Sequence, residues 1–172
     1  MRETFPITAK LAIALPLAAM LVITGCAKKK PLPDNAAQLG IGGAGAGSAA
    51  PGSTQDFTVN VGDRVFFTTD SSSLTAQARQ TLDKQAAWLN RYGTYQITIE
   101  GHADERGTRE YNLALGARRA AATRDYLSSR GVSRGRIRTI SFGKERPVAV
   151  CNDISCWSQN RRAVTVLRGG NS

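Results

Sequence analysis

Apolar and polar residues alternate most cleanly over Tyr95-Gln96-Ile97-Thr98-Ile99-Glu100. Tyr95, Ile97 and Ile99 share one side and Gln96, Thr98 and Glu100 the other, which predicts a half-buried strand. A helix is expected to begin near Thr108, whose hydroxyl suits an N-cap, and to run to Gly131. At about 100° per residue, Asn112, Leu115, Gly116, Arg119, Thr123, Tyr126 and Leu127 fall on one stripe of it, with Ala120 at the margin. An earlier helix starts at Thr75, presents Ala78, Leu82, Ala86 and Leu89, and stops at Gly93. Phe57, Val59 and Val61 alternate as in a strand, and Val65-Phe66-Phe67 continues as a buried one. Ile137 to Phe142 is a less regular strand, because Arg136 and Arg138 share a face with Ile140 and Phe142; Ala163 to Leu167 is the last. The order is β-α-β-α-β-β, an α+β class in which helices pack on one face of a small mixed sheet.

Between the central strand and its helix lies Gly101-His102-Ala103-Asp104-Glu105-Arg106-Gly107, a concentration of ionisable side chains where a loop would be held by a rigid scaffold. Arg119 stands on the inward stripe, where a guanidinium is costly unless an anion pairs with it. An internal pair with Asp104 and a ligand carboxylate would each satisfy that need. His102 reads as a buried scaffold histidine. Asp104, Glu105 and His102 are close in sequence, but neighbours in a loop point apart and no nucleophile–base–orienter set converges, so no catalytic residue is assigned.

The ends of the chain add a second layer. Arg2 and Lys10 precede a short apolar run from Leu11 to Ile23, shorter than the ~20 residues of a membrane span. Its ending, Ile23-Thr24-Gly25-Cys26, resembles a bacterial lipobox. That resemblance implies that residues 1–25 are a lipoprotein signal peptide and that Cys26 carries the lipid, palmitate included, with more than one chain for stable anchoring. Ala27 follows where an Asp in many such lipoproteins directs inner-membrane retention, which favours the outer membrane. Residues 26–55, with Lys28-Lys29-Lys30 and a Gly/Ala/Ser-rich run, compose a tether. If Cys26 is lipidated, Cys151 and Cys156 remain as a pair, and a bridge over so short a loop would contribute about 2 kcal/mol. The rival zinc reading has only two cysteines and the distant His102, a poor ligand set. No metal or other cofactor is expected.

The formal charge is +10, and +9 once residues 1–25 are set aside with Arg2, Lys10 and Glu3. A basic balance usually signals an anionic partner. Nucleic acid fits poorly with export, and Trp88 and Trp157 are isolated, so no stacking platform is evident.

The motif Gly101 to Gly107, followed by Tyr111-Asn112, Leu115, Arg119-Ala120 and Asn160-Arg161-Arg162-Ala163, resembles the OmpA-like peptidoglycan-binding domain over about residues 56–168, leaving 169–172 as a tail. The resemblance implies a non-covalent grip on diaminopimelate in the stem peptides of peptidoglycan. Carried over by position, Asp104 accepts from the ligand's ammonium and Arg119 gives a bidentate fork to its carboxylate. Asp70 lines the pocket, beside Thr69 where relatives often carry an aromatic. Asn112, Leu115 and Arg161 complete the set, Asn112 and Leu115 mainly as structure. The resemblance further implies a periplasm-facing domain, lipid-anchored in the outer membrane, that joins it to the wall. It also implies a partnership with the Tol system's periplasmic propeller protein and a part in envelope integrity and cell division. The alternative within the same family is an interaction module acting outside the Tol system.

Overall fold

The computed structural model describes residues 49–169. Cys26, the signal segment, most of the tether and the last three residues lie outside that range. The elements are a short helix α1 (Thr54–Asp56) widening into a π turn (Phe57–Gly62), β1 (Arg64–Phe66), α2 (Ala76–Arg91), β2 (Gln96–His102), α3 (Arg109–Ser129), a 3-10 turn (Arg134–Arg136), β3 (Ile137–Gly143), α4 (Ile154–Asn160) and β4 (Arg162–Arg168). The sheet order is β1-β4-β2-β3, with β2 and β3 parallel and the other pairs antiparallel. This is the expected mixed sheet.

Tyr95, Ile97 and Ile99 are buried, joined by Val65, Ala163 and Ile137 from the other strands and by Ala78, Leu82, Ala86 and Leu89 of α2. The α3 stripe is inward as the periodicity required: Asn112, Leu115, Gly116, Arg119, Ala120, Thr123 and Leu127 are all buried. Thr108 accepts from the amide of Tyr111 as the expected N-cap, and Thr75, the expected start of the earlier helix, caps α2 by accepting from the amide of Ala78. The opposite face of the sheet leaves Phe66 and Ile140 exposed.

Four expectations give way. Phe57, Val59 and Val61 are helical, with Phe57 buried and Val59 exposed. The Ser53 cap and the Asp56 carboxylate, which takes the Trp88 indole N–H at 2.8 Å and the Gly52 amide at 2.9 Å, wind this segment instead of extending it. The same contacts, with the Tyr95 hydroxyl on the Gly52 carbonyl at 2.7 Å, carry the folded unit upstream of residue 56. Second, Val65-Phe66-Phe67 is half-buried, since Phe66 faces solvent. Third, α4 interposes between the last two strands. Its inward residues are Cys156 and Asn160, too polar and too few to produce an apolar period. Gly93 does not end α2 by itself either. Arg136 donates to the carbonyls of Leu89, Tyr92 and Tyr95 at 3.0–3.3 Å and closes that helix end from a distant turn.

Cys151 and Cys156 form a disulfide, Cα to Cα 5.6 Å. Both thiols are therefore used, and no pair of thiolates is left for zinc.

Two glycines set how closely α3 lies on β2. A methyl placed on Gly101 would sit 1.9 Å from the Gly116 carbonyl oxygen, and one on Gly116 would sit 2.4 Å from Ser141 Oγ. Helix backbone thus rests directly on strand backbone. Gly101→Ala must push α3 off the sheet, and its expected cost is about 3 kcal/mol or more, at the upper end for overpacking. Urea unfolding of the variant checks this.

His102 is buried against Phe142, rings 5.6 Å apart, and neither of its nitrogens has a hydrogen-bond partner. Burial, helped by the cations Arg162 and Arg146, pulls its imidazole down to about 4. Between about pH 6.5 and 4 the unfolded chain takes up a proton that the folded chain refuses, so stability falls as pH drops through that window. The loss should approach ~2–3 kcal/mol. Depressed carboxylates such as Asp104 act lower, their contribution being lost below the ordinary carboxylate range. Denaturant midpoints measured across pH should show this slope in the wild type and a flattened one in His102→Gln.

Candidate functional site

A cleft of about 280 Å³ opens where the loop after β1, the loop after β2 and the first two turns of α3 converge. Four expected residues line it: Asp70, Asp104, Asn112 and Leu115. Thr69, Arg106, Gly107 and Tyr111 complete the wall. Arg119 and Arg161 lie outside the lining, buried next to it.

The β2–α3 loop is fixed from several directions. Asn112 Nδ2 donates to the Arg106 carbonyl at 2.7 Å, and Lys144 Nζ reaches the carbonyls of Glu105 (3.1 Å) and Gly107 (2.7 Å) from beyond β3. The Trp157 indole N–H donates to Glu105 at 2.8 Å, so Glu105 points outward while the buried Asp104 lines the cleft. Adjacent carboxylates therefore diverge, as the sequence suggested. His102 is not among the residues of the cleft wall.

Asp104 holds two arginines, neither of them Arg119. Arg106 approaches it with Nε at 3.1 Å and Nη2 at 2.7 Å, and Arg161 adds Nη1 at 3.3 Å. Burial raises the Asp104 carboxyl, but the Arg106 and Arg161 hydrogen bonds outweigh it and hold the group below its usual value. It is an anion at neutral pH.

Arg119 departs most from expectation. It is fully buried, and Nε, Nη1 and Nη2 donate to the carbonyls of Ser71 (2.9 Å), His102 (2.8 Å) and Thr68 (3.1 Å). Neither the internal pair with Asp104 nor an open fork is present. A buried guanidinium must satisfy its donors, and the tertiary fold places three backbone carbonyls around it. Burial lowers it to about 10, with repulsion from Arg161 adding and attraction from Asp104 and Asp70 opposing, so it stays charged at neutral pH. Arg161, also buried, makes a second framework contact from Nε to the Phe67 carbonyl at 3.1 Å.

Asp70 takes a left-handed backbone, φ 55°, and accepts from the Tyr111 hydroxyl. That bond joins the two sides of the cleft. Sequence reasoning gave Arg106, Tyr111, Lys144 and Trp157 no role. Arg106 and Tyr111 are visible as motif members, and Tyr111 as a large aromatic outside the inward stripe of its helix. Lys144 and Trp157 carry no such signal, because they reach the loop only through tertiary packing.

The chemistry of the cleft is zwitterionic. Carboxylates of Asp70 and Asp104, the Tyr111 hydroxyl and the Arg106 guanidinium all border it. The Arg106 guanidinium is already paired with Asp104 across this wall.

Comparison with known proteins gives a consistent placement. The OmpA family model matches residues 66–161. The "Peptidoglycan-associated lipoprotein" of Agrobacterium fabrum is 71% identical over 157 residues, covering 91% of this chain and 86% of the relative. The protein of that name from Brucella abortus is 68% identical over 161 residues, covering 94% of each. The crystal structure of the peptidoglycan-associated lipoprotein from Burkholderia pseudomallei superposes with a TM-score of 0.60 at 44% identity, covering 62% of this chain and 90% of that one. The C-terminal domain of Helicobacter pylori MotB, 18% identical, gives a TM-score of 0.59 over 63% of this chain and 85% of that one, a likeness of fold alone. With the family model spanning more than half of its length and close relatives matching nearly all of it, this chain belongs to the OmpA family.

Proposed function

We propose that the chain is a lipoprotein of the bacterial envelope whose folded domain binds peptidoglycan without covalent chemistry. The observation that carries this is the cleft at the N-terminal end of α3, where the buried, ionised Asp104 stands on a framework fixed by Arg161, Asn112 and Lys144. The names of the relatives support the same partner. The recognised group is the diaminopimelate side chain of a stem peptide: Asp104 receives its ammonium, with Asp70 and Tyr111 beside it. Its carboxylate is drawn toward the positive field of Arg119 and Arg161 behind the wall. Leu115 supplies an apolar floor. The domain binds rather than catalyses.

The finer reading adds lipid on Cys26, outer-membrane anchoring with the domain in the periplasm, and a protein partner, the propeller protein of the Tol system, through which it serves envelope integrity and division. The partner reading has its own observation. Val148, Val150 and Ile154 are exposed by 53%, 85% and 63% around the Cys151–Cys156 bridge, and Trp157 joins this loop to the cleft rim through Glu105. Asn160 orders it, accepting from the amides of Val148 (2.8 Å) and Ala149 (3.3 Å) and donating to the Ala149 carbonyl (2.8 Å). A rigid loop that presents apolar side chains to water suits docking to a protein.

Asp104→Asn keeps the shape of the site and removes the charge, at one charge-assisted contact worth ~1.5–3 kcal/mol. Binding to isolated peptidoglycan should weaken by about one to two orders of magnitude, beside a lowered melt because the buried Arg161 loses its anion; wild-type binding by the folded variant would sink the reading. Arg119→Met should act differently, because it removes three hydrogen bonds that hold the Thr68–Ser71 loop to the end of β2, and a buried carbonyl left without a donor, such as that of His102, costs ~1–3 kcal/mol. A thermal melt is expected to show marked destabilisation there.

For the anchor, mass spectrometry of the native protein should find an acylated peptide beginning at Cys26. An unmodified thiol at that position removes the lipid from the account.

A further inference from the structure

The Asp104 carboxylate has no acceptor site to spare. An ionised carboxylate offers about four lone-pair positions, and four donors reach this one. Oδ1 takes the Arg106 amide at 3.2 Å and Arg106 Nε at 3.1 Å; Oδ2 takes Arg106 Nη2 at 2.7 Å and Arg161 Nη1 at 3.3 Å. A ligand ammonium reaches Asp104 only by evicting one of them.

The four differ in how readily they leave. Arg161 is buried and bound at its Nε to the Phe67 carbonyl. The Arg106 amide belongs to a turn that Asn112 fixes through the Arg106 carbonyl. The Arg106 side chain is 41% exposed, and its guanidinium carbon already lies 4.2 Å from the centre of the Trp157 ring. It can surrender two hydrogen bonds, stay on the aromatic face and regain water.

We propose that the Arg106 guanidinium holds the position that the ligand's ammonium would take on Asp104 and that its displacement makes the cleft selective for a zwitterion. The proposal rests on reading the cleft as a diaminopimelate site. A bare amine exchanges one cation on Asp104 for another and gains little. A molecule that also carries a carboxylate keeps an interaction with the positive wall that Arg106 cannot supply for itself. Arg106 is thus a specificity-determining residue that opposes the ligand's amine, although it lines the site.

The test uses calorimetric titration of the full chain with meso-diaminopimelate and with 1,5-diaminopentane, which has the amines and no carboxylate. In the wild type, diaminopimelate should bind and the diamine should not measurably do so. Arg106→Gln removes the competing charge while retaining a polar side chain. It should bind diaminopimelate about two- to fivefold tighter, the ratio corresponding to an exposed ion pair, and should acquire measurable diamine binding. Arg106→Lys should remain near wild type. In the wild type itself, the Arg106 Nε–H, followed by nitrogen-15 NMR, should exchange faster with water once diaminopimelate is bound. Equal or weaker diaminopimelate binding by Arg106→Gln, beside a wild type that binds, overturns the proposal and leaves the cleft reading standing. Absence of diaminopimelate binding by the wild type overturns both.

Discussion

A single buried guanidinium ties together the segments that make the cleft. Arg119 projects from the middle of the α3 stripe and binds the carbonyls of Thr68 and Ser71 from one loop and of His102 from the end of β2. Of the three residues His102 is buried and Ser71 half-buried, while the Thr68 carbonyl also takes the Ser71 amide at 3.4 Å, and the guanidinium would otherwise be a buried charge with unsatisfied donors. Each solves the other's difficulty. The loop that carries Thr69 and Asp70 is thereby placed opposite the loop that carries Asp104. A lysine could not span three carbonyls in this way, since its donors radiate from one atom rather than from a planar fork.

Backbone proximity is the second condition. Because Gly101 and Gly116 carry no side chains, α3 lies close enough to β2 for Arg119 to reach the end of that strand. Sheet register and helix height are thus coupled to the site geometry. The β2–β3 pairing shifts at Gly101/His102, turning the strand out of its register where the functional loop begins. Nearby, His102 is buried with neither ring nitrogen hydrogen-bonded, the Glu100 carboxylate standing 3.7 Å from Nε2, and burial keeps the ring neutral.

The segment from Lys144 to Asn160 works differently. Its disulfide, its Asn160 clamp and the Asp153 cap on α4 order a loop with few apolar anchors of its own. From it Trp157 reaches Glu105 and lies under Arg106, while Lys144 pins the same loop from the other side. Trp157 and Lys144 thus tie this segment to the loop that bears Asp104.

The sequence by itself determined the layers, the inward stripe of α3, the Thr108 cap and the loop that bears Asp104, because each is written in local periodicity or capping chemistry. It also marked Arg119 as a buried charge in need of partners. Which partners these are was beyond it. Asp104 and three backbone carbonyls were equally available to Arg119 in principle, and only the folding of residues 68–71 against α3 chose the carbonyls. In the same way, nothing local in Phe57-Thr58-Val59-Asn60-Val61 opposes a strand; the distant Trp88 indole on Asp56 favours a helical turn there. Helix α4 was hidden because its buried positions are Cys156 and Asn160, residues without a hydrophobic signature. Pairings between residues 30 to 90 positions apart depend on where each segment comes to rest, and that is decided by the shared core, not by any short stretch of chain.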